Sequence, residues 1–64
     1  MKFYNFDTTI PEIKDALATY LKQTNVYYEL SACFAGWHFE IKTDLDGLDR
    51  INAKLDEIYV TLED

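Results

Sequence analysis

Hydrophobic spacing along the chain switches between a period of two and a period near 3.6, and these switches predict five elements. Lys2-Phe3-Tyr4-Asn5-Phe6 is rich in aromatics, ends at Asp7 and predicts a first strand. It carries aromatic side chains on both sides, so either Phe3 or the pair Tyr4 and Phe6 faces the core. From Pro11 to about Thr24 the apolar positions Ile13, Ala16, Leu17, Tyr20 and Leu21 fall at i, i+3, i+4, i+7 and i+8, the stripe of a helix with one buried face. Two starts compete. Thr9 and Glu12 have capping-box spacing, whereas Pro11 suits the first helical position and biases Ile10 toward extended backbone.

Asn25 is the predicted stop, after which Val26, Tyr28 and Leu30 alternate with Tyr27, Glu29 and Ser31. Beyond Ala32-Cys33-Phe34-Ala35-Gly36, where Gly36 is expected to supply the permissive turn position, Trp37, Phe39 and Ile41 alternate with His38, Glu40 and Lys42. The two runs predict a hairpin. Leu48, Ile51, Leu55, Ile58 and Leu62 then recur at spacings of three and four and predict a second amphipathic helix from about Asp44 to Leu62. Thr43 is its expected N-cap, with Asp44 and Asp46 at the positive end of the helix dipole.

The order β-α-β-β-α predicts an α+β two-layer sandwich in which a three-stranded sheet carries both helices on one face, with residues 1–64 as one small domain. The crossover through the first helix sets the first strand parallel to a later one. Val26, Tyr28, Leu30, Trp37, Phe39 and Ile41 are expected in the core. Tyr27, Glu29, Ser31, His38, Glu40 and Lys42 are expected on an uncovered, partly aromatic face, where Tyr27 and His38 are candidate partner-binding residues.

Composition narrows the class. With 48% apolar and 16% aromatic residues the chain has material for a core, which excludes disorder. At 64 residues, however, it has few to spare for a catalytic cleft. The single cysteine, Cys33, excludes an intrachain disulfide and suits a reducing compartment; as a small apolar side chain it is expected to pack. The N-terminal residues lack a signal-peptide apolar run and no stretch approaches the ~20 apolar residues of a membrane span, so a soluble, cytoplasmic protein is expected.

Charge changes the picture further. The net charge is −6, which argues against nucleic acid or an anionic membrane as the direct ligand. Residues 1–43 hold four bases and five acids, a net of −1, while residues 44–64 hold two bases and seven acids, a net of −5. Opposite the leucine and isoleucine stripe of the second helix, Asp49, Asn52, Asp56 and Glu63 fall on one line, with Asp49 and Asp56 ~10 Å apart along the axis. Asp44, Asp46, Glu57 and Asp64 extend this acidic ridge, and Arg50 is placed to answer Asp46 at i+4.

Motifs that would carry chemistry fail on their spacing. Aligning Gly47 with the invariant glycine of a calcium loop puts Lys42 at the first ligand position and Ala53 at the last, where carboxylates are required. Cys33 and His38 are the only soft ligands, short of the four a structural zinc site needs. As a nucleophile and base they lack an identifiable group to orient the histidine. Glu29 and Glu40 face each other across the hairpin, but an open sheet face does not separate their pKa values. No cofactor, metal or enzymatic activity is expected.

Two readings result. The first is an inhibitor or adaptor that binds a basic partner, such as a nucleic-acid-binding protein, through Asp44, Asp46, Asp49, Asp56, Glu57 and Glu63. Small phage and mobile-element proteins mimic nucleic acid in this way against host nucleases, and the analogy rests on size and charge. The second is a homodimeric structural module that covers the open sheet face, because association buries apolar area a small monomer lacks.

Overall fold

A computed structural model describes residues 2–63, apart from the side chain of Glu63. The elements are β1 (Lys2–Thr8), α1 (Pro11–Gln23), β2 (Tyr27–Cys33), β3 (Gly36–Thr43) and α2 (Leu45–Glu63). This is the β-α-β-β-α order that the spacing predicts, in an α+β fold. The sheet order is β1-β3-β2 and both pairings are antiparallel. β1 and β2 therefore run the same way with β3 between them, so the strand parallel to β1 is β2, reached through α1.

Both helices press their stripes on one side of the sheet. Ile13, Leu17 and Leu21 of α1 and Ile51, Leu55 and Ile58 of α2 form one buried cluster with Phe39 and Ile41 of β3. Phe39, completely buried, is the centre, tilted against Phe6 at 6.2 Å and Tyr28 at 6.1 Å between ring centroids. The ambiguity in β1 is thereby settled. Tyr4 and Phe6 share the face of Ile41 and Phe39, and Phe3 lies on the open face.

The predicted core is corrected at its edges. Val26, Tyr28 and Trp37 are only half-buried, and Leu30 is exposed although its register with Phe39 puts it on the helix side, because β2 is an edge strand. In α2, Leu48 is half-buried and Leu62 is exposed, so the apolar stripe holds to the core only through its middle.

Local chemistry explains the boundaries. Pro11 takes the first helical position of α1, Ile10 is extended at φ −102° and ψ 113°, and no side chain caps it; the capping box of Thr9 and Glu12 does not form. The Thr8 hydroxyl instead accepts the Ile10 N–H at 3.1 Å. Asn25, at φ 57°, ends α1 in a Schellman turn, where Val26 N–H donates to the Leu21 carbonyl at 3.0 Å and Asn25 N–H to that of Lys22 at 3.3 Å.

Three expectations change. β2 and β3 are longer than predicted and leave only Phe34 and Ala35 as the turn. The left-handed turn residue is Ala35, at φ 63°, and not Gly36. Gly36 belongs to β3, where any Cβ would collide with the Thr8 carbonyl, so the glycine permits a close approach. The N-cap of α2 is Asp44, not Thr43: Asp44 Oδ1 accepts the Gly47 N–H at 2.8 Å and its carbonyl accepts the Leu48 N–H at 2.9 Å. Thr43 ends β3 with its side chain buried.

Candidate functional site

α2 turns one face to the sheet, so the residues half a turn away stand in water. Asp46, Asp49, Asp56 and Glu57 are all exposed, as is Asp44 at the helix start. Glu63, whose side chain lies outside the described residues, and Asp64, wholly outside them, complete the ridge in sequence only. Glu57 is tied to Lys54 at 3.4 Å and Asp44 to the Gly47 N–H. Among the described residues Asp46, Asp49 and Asp56 take part in no ion pair, and the expected Arg50 to Asp46 pair does not form. Lys54 turns away from the ridge toward α1, its Nζ 5.8 Å from the centre of the Tyr20 ring. There it lines an inter-helix groove of about 450 Å³ with Ala16, Tyr20, Glu57 and Ile58.

The other uncovered surface is the open sheet face, ordered in three cross-strand rows. These are Phe3, Lys42 and Tyr27; Asn5, Glu40 and Glu29; and Asp7, His38 and Ser31. In the first row the Lys42 ammonium lies 5.6 Å from the centre of the exposed Phe3 ring. Tyr27 donates its phenol proton to Glu29 Oε1 at 3.0 Å. That bond, with the negative charge of Glu29 and more weakly of Glu40, holds the Tyr27 phenol above its ordinary pKa. Glu29 and Glu40 are register partners, as expected. The face is mixed in character, with charged side chains in every row.

The third row contains a residue that sequence reasoning missed. Asp7 Oδ1 engages His38 Nδ1 and supplies the group for orienting this histidine that no spacing rule identified. The signal was partial: alternation puts Asp7 on the same face as Phe3 and Asn5, and that is the histidine's face once the β1–β3 pairing sets Phe3 outward. Aspartate, histidine and serine thus stand in triad order across three strands. Yet no hydrogen bond joins Ser31 to His38 among the described residues, and neither of those two lines the groove beside Asp7. What the geometry performs is a cross-strand latch between β1 and β3.

Cys33, expected as packing, is exposed at the end of β2. It pairs with Gly36 rather than with His38. Among the described residues no group of three or more potential metal ligands converges. No helix among them is long and apolar enough to cross a membrane. Of the candidate partner-binding residues, the acids from Asp44 to Glu57 share α2 and its cap, whereas Tyr27 and His38 belong to the open sheet face and form no common site with them. No family model, no curated protein and no solved structure matches the chain.

Proposed function

We propose that the protein is a non-enzymatic binding module whose outer α2 surface engages a basic partner protein, acting as an inhibitor or adaptor in the manner of a nucleic-acid mimic. The observation that carries this reading is the run of exposed carboxylates at Asp46, Asp49 and Asp56, none of which takes part in an ion pair among the described residues. A rigid helix fixes their spacing, and the core stripe of Ile51, Leu55 and Ile58 holds that helix to the sheet, so the charges are presented in a preorganised line. A partner that normally neutralises phosphates with lysine and arginine offers the complementary surface.

Affinity capture from the source cell at about 50 mM and 500 mM NaCl tests the proposal, with the unsubstituted chain beside the doubly substituted chain Asp49→Lys and Asp56→Lys. Each replacement changes the charge by two, so the variant moves from −6 to −2. Basic proteins retained by the unsubstituted chain at low salt are expected to be lost at high salt and lost from the variant. Capture that is indifferent to both changes refutes the proposal.

A further inference from the structure

The least expected side chain in the molecule is Phe34, completely exposed at the tip of the β2–β3 hairpin. Its turn is held by Ala35 in a left-handed conformation that costs a non-glycine residue energy, so the ring is presented by a backbone arrangement that local propensity disfavours. Beside it lies a groove of about 430 Å³ lined by Asp7, Thr8, Thr9, Ile10, Cys33 and Tyr59 together with Phe34 itself. Ile10 is 40% exposed and Tyr59 41%. A protruding aromatic and an adjoining groove of mixed lining, with Ile10 and Tyr59 as its apolar walls, stand on one patch, and a two-fold contact uses both, since each copy offers the knob that fills the other's groove.

We infer that the hairpin tip, centred on Phe34 and the Ile10/Tyr59 groove, is the contact surface of a homodimer of this chain. Area supports a second copy as the occupant. The exposed apolar side chains of the patch amount to roughly 400 Å² per copy, so an isologous contact with its polar rim buries on the order of 1,000 Å², the lower bound for a specific interface. At this lower bound the contact is a weak, transient one. Charge sets its salt dependence. With a radius of gyration of 11.3 Å, two copies place their net charges of −6 roughly 30 Å apart. That repulsion is felt at about 10 mM salt, where the Debye length is ~30 Å, and is screened at 0.15 M, where it is ~8 Å. Self-association therefore tightens roughly tenfold between those salts. The inference does not rest on the acidic-helix reading, which requires salt to act in the opposite direction.

Sedimentation velocity over about 5–300 μM chain, at about 10, 150 and 500 mM NaCl, tests the inference for the unsubstituted protein and for Phe34→Ser. A monomer–dimer equilibrium that tightens with salt is expected, weakened at least tenfold by Phe34→Ser. Because Phe34 has no buried surface to lose, the variant keeps the circular dichroism spectrum and melting temperature of the monomer. A monomer at 300 μM in 500 mM NaCl overturns the inference, and so does a dimer that Phe34→Ser leaves intact.

Discussion

Gly47 is where helix propensity and packing oppose each other, so substituting it separates the two. It is the third residue of α2, and replacing a helical glycine by alanine ordinarily stabilises by about 1 kcal/mol. Here a Cβ would run into the Thr43 hydroxyl, with Asp44 Oδ1 and Thr43 Cβ each 3.2 Å away. The hydroxyl cannot swing into water, because Thr43 is only 6% exposed at the end of β3. Forcing the extra carbon in costs about 1–3 kcal/mol, so Gly47→Ala is expected to destabilise by about 1 kcal/mol net. In a Thr43→Ala background the colliding oxygen is gone, and the same change becomes neutral or stabilising. Urea unfolding of the four members of this cycle is expected to give a coupling energy of about 2 kcal/mol. A coupling below about 0.5 kcal/mol, with Gly47→Ala raising the midpoint equally in both backgrounds, would show that α2 does not start against Thr43.

The acids of α2 divide by role, and stability measurements should show it. Asp44→Ala loses the cap to Gly47 and is expected to cost about 1 kcal/mol, whereas Asp49→Ala, exposed and unpaired, should stay within about 0.5 kcal/mol of the parent in chemical unfolding. On the open sheet face, Glu29→Gln should return the Tyr27 phenol toward its ordinary pKa of about 10, read by ultraviolet difference titration against Tyr27→Phe. Because the folded-state value is raised, the stabilisation from this phenol is complete below the unfolded pKa of about 10 and is lost as pH climbs through the raised value. An unchanged curve in Glu29→Gln would mean that the Glu29 charge does not act on the phenol in solution.

Element type and order were legible in the sequence because both strands and helices bury one face, which writes period two or period 3.6 into the apolar positions. What periodicity could not show lay at contacts between elements. Gly47 invited comparison with a calcium loop, whereas its requirement comes from the Thr43 side chain of the preceding strand. Gly36 was read as a turn residue, although its constraint comes from the Thr8 carbonyl of β1, some thirty positions away in sequence. Thr43 satisfied the capping rule by residue type, yet its burial under α2 left Asp44 to perform the role. The same blindness hid Asp7, whose link to His38 depends on the β1–β3 register, a quantity alternation leaves undetermined until the strands are paired. For the candidate surface, periodicity sets Asp49, Asn52 and Asp56 opposite the apolar stripe of α2, and all three are exposed. The apolar tip escaped notice because a short run containing Phe34 reads equally well as buried or exposed.

The helix α2 thus carries the acidic surface of one proposal and, through Tyr59, one wall of the groove in the other. Its inner residues Ile51, Leu55 and Ile58 share the buried cluster with Phe39, its outer carboxylates Asp46, Asp49 and Asp56 take part in no ion pair among the described residues, and Tyr59 lines the hairpin-tip groove. The two proposed contacts would respond to ionic strength with opposite sign, since attraction of a basic partner is screened by the same ions that relieve repulsion between copies. On the two proposals together, low salt would favour a monomer with its strongest pull on a basic surface, and high salt a dimer with that pull weakened. At intermediate salt a tip-to-tip dimer would leave both acidic ridges uncovered, and a partner with two basic sites would gain from avidity that a monomer cannot supply. Phe34→Ser would then weaken capture of such a bivalent partner without altering a single carboxylate, while Asp49→Lys with Asp56→Lys would abolish it in monomer and dimer alike.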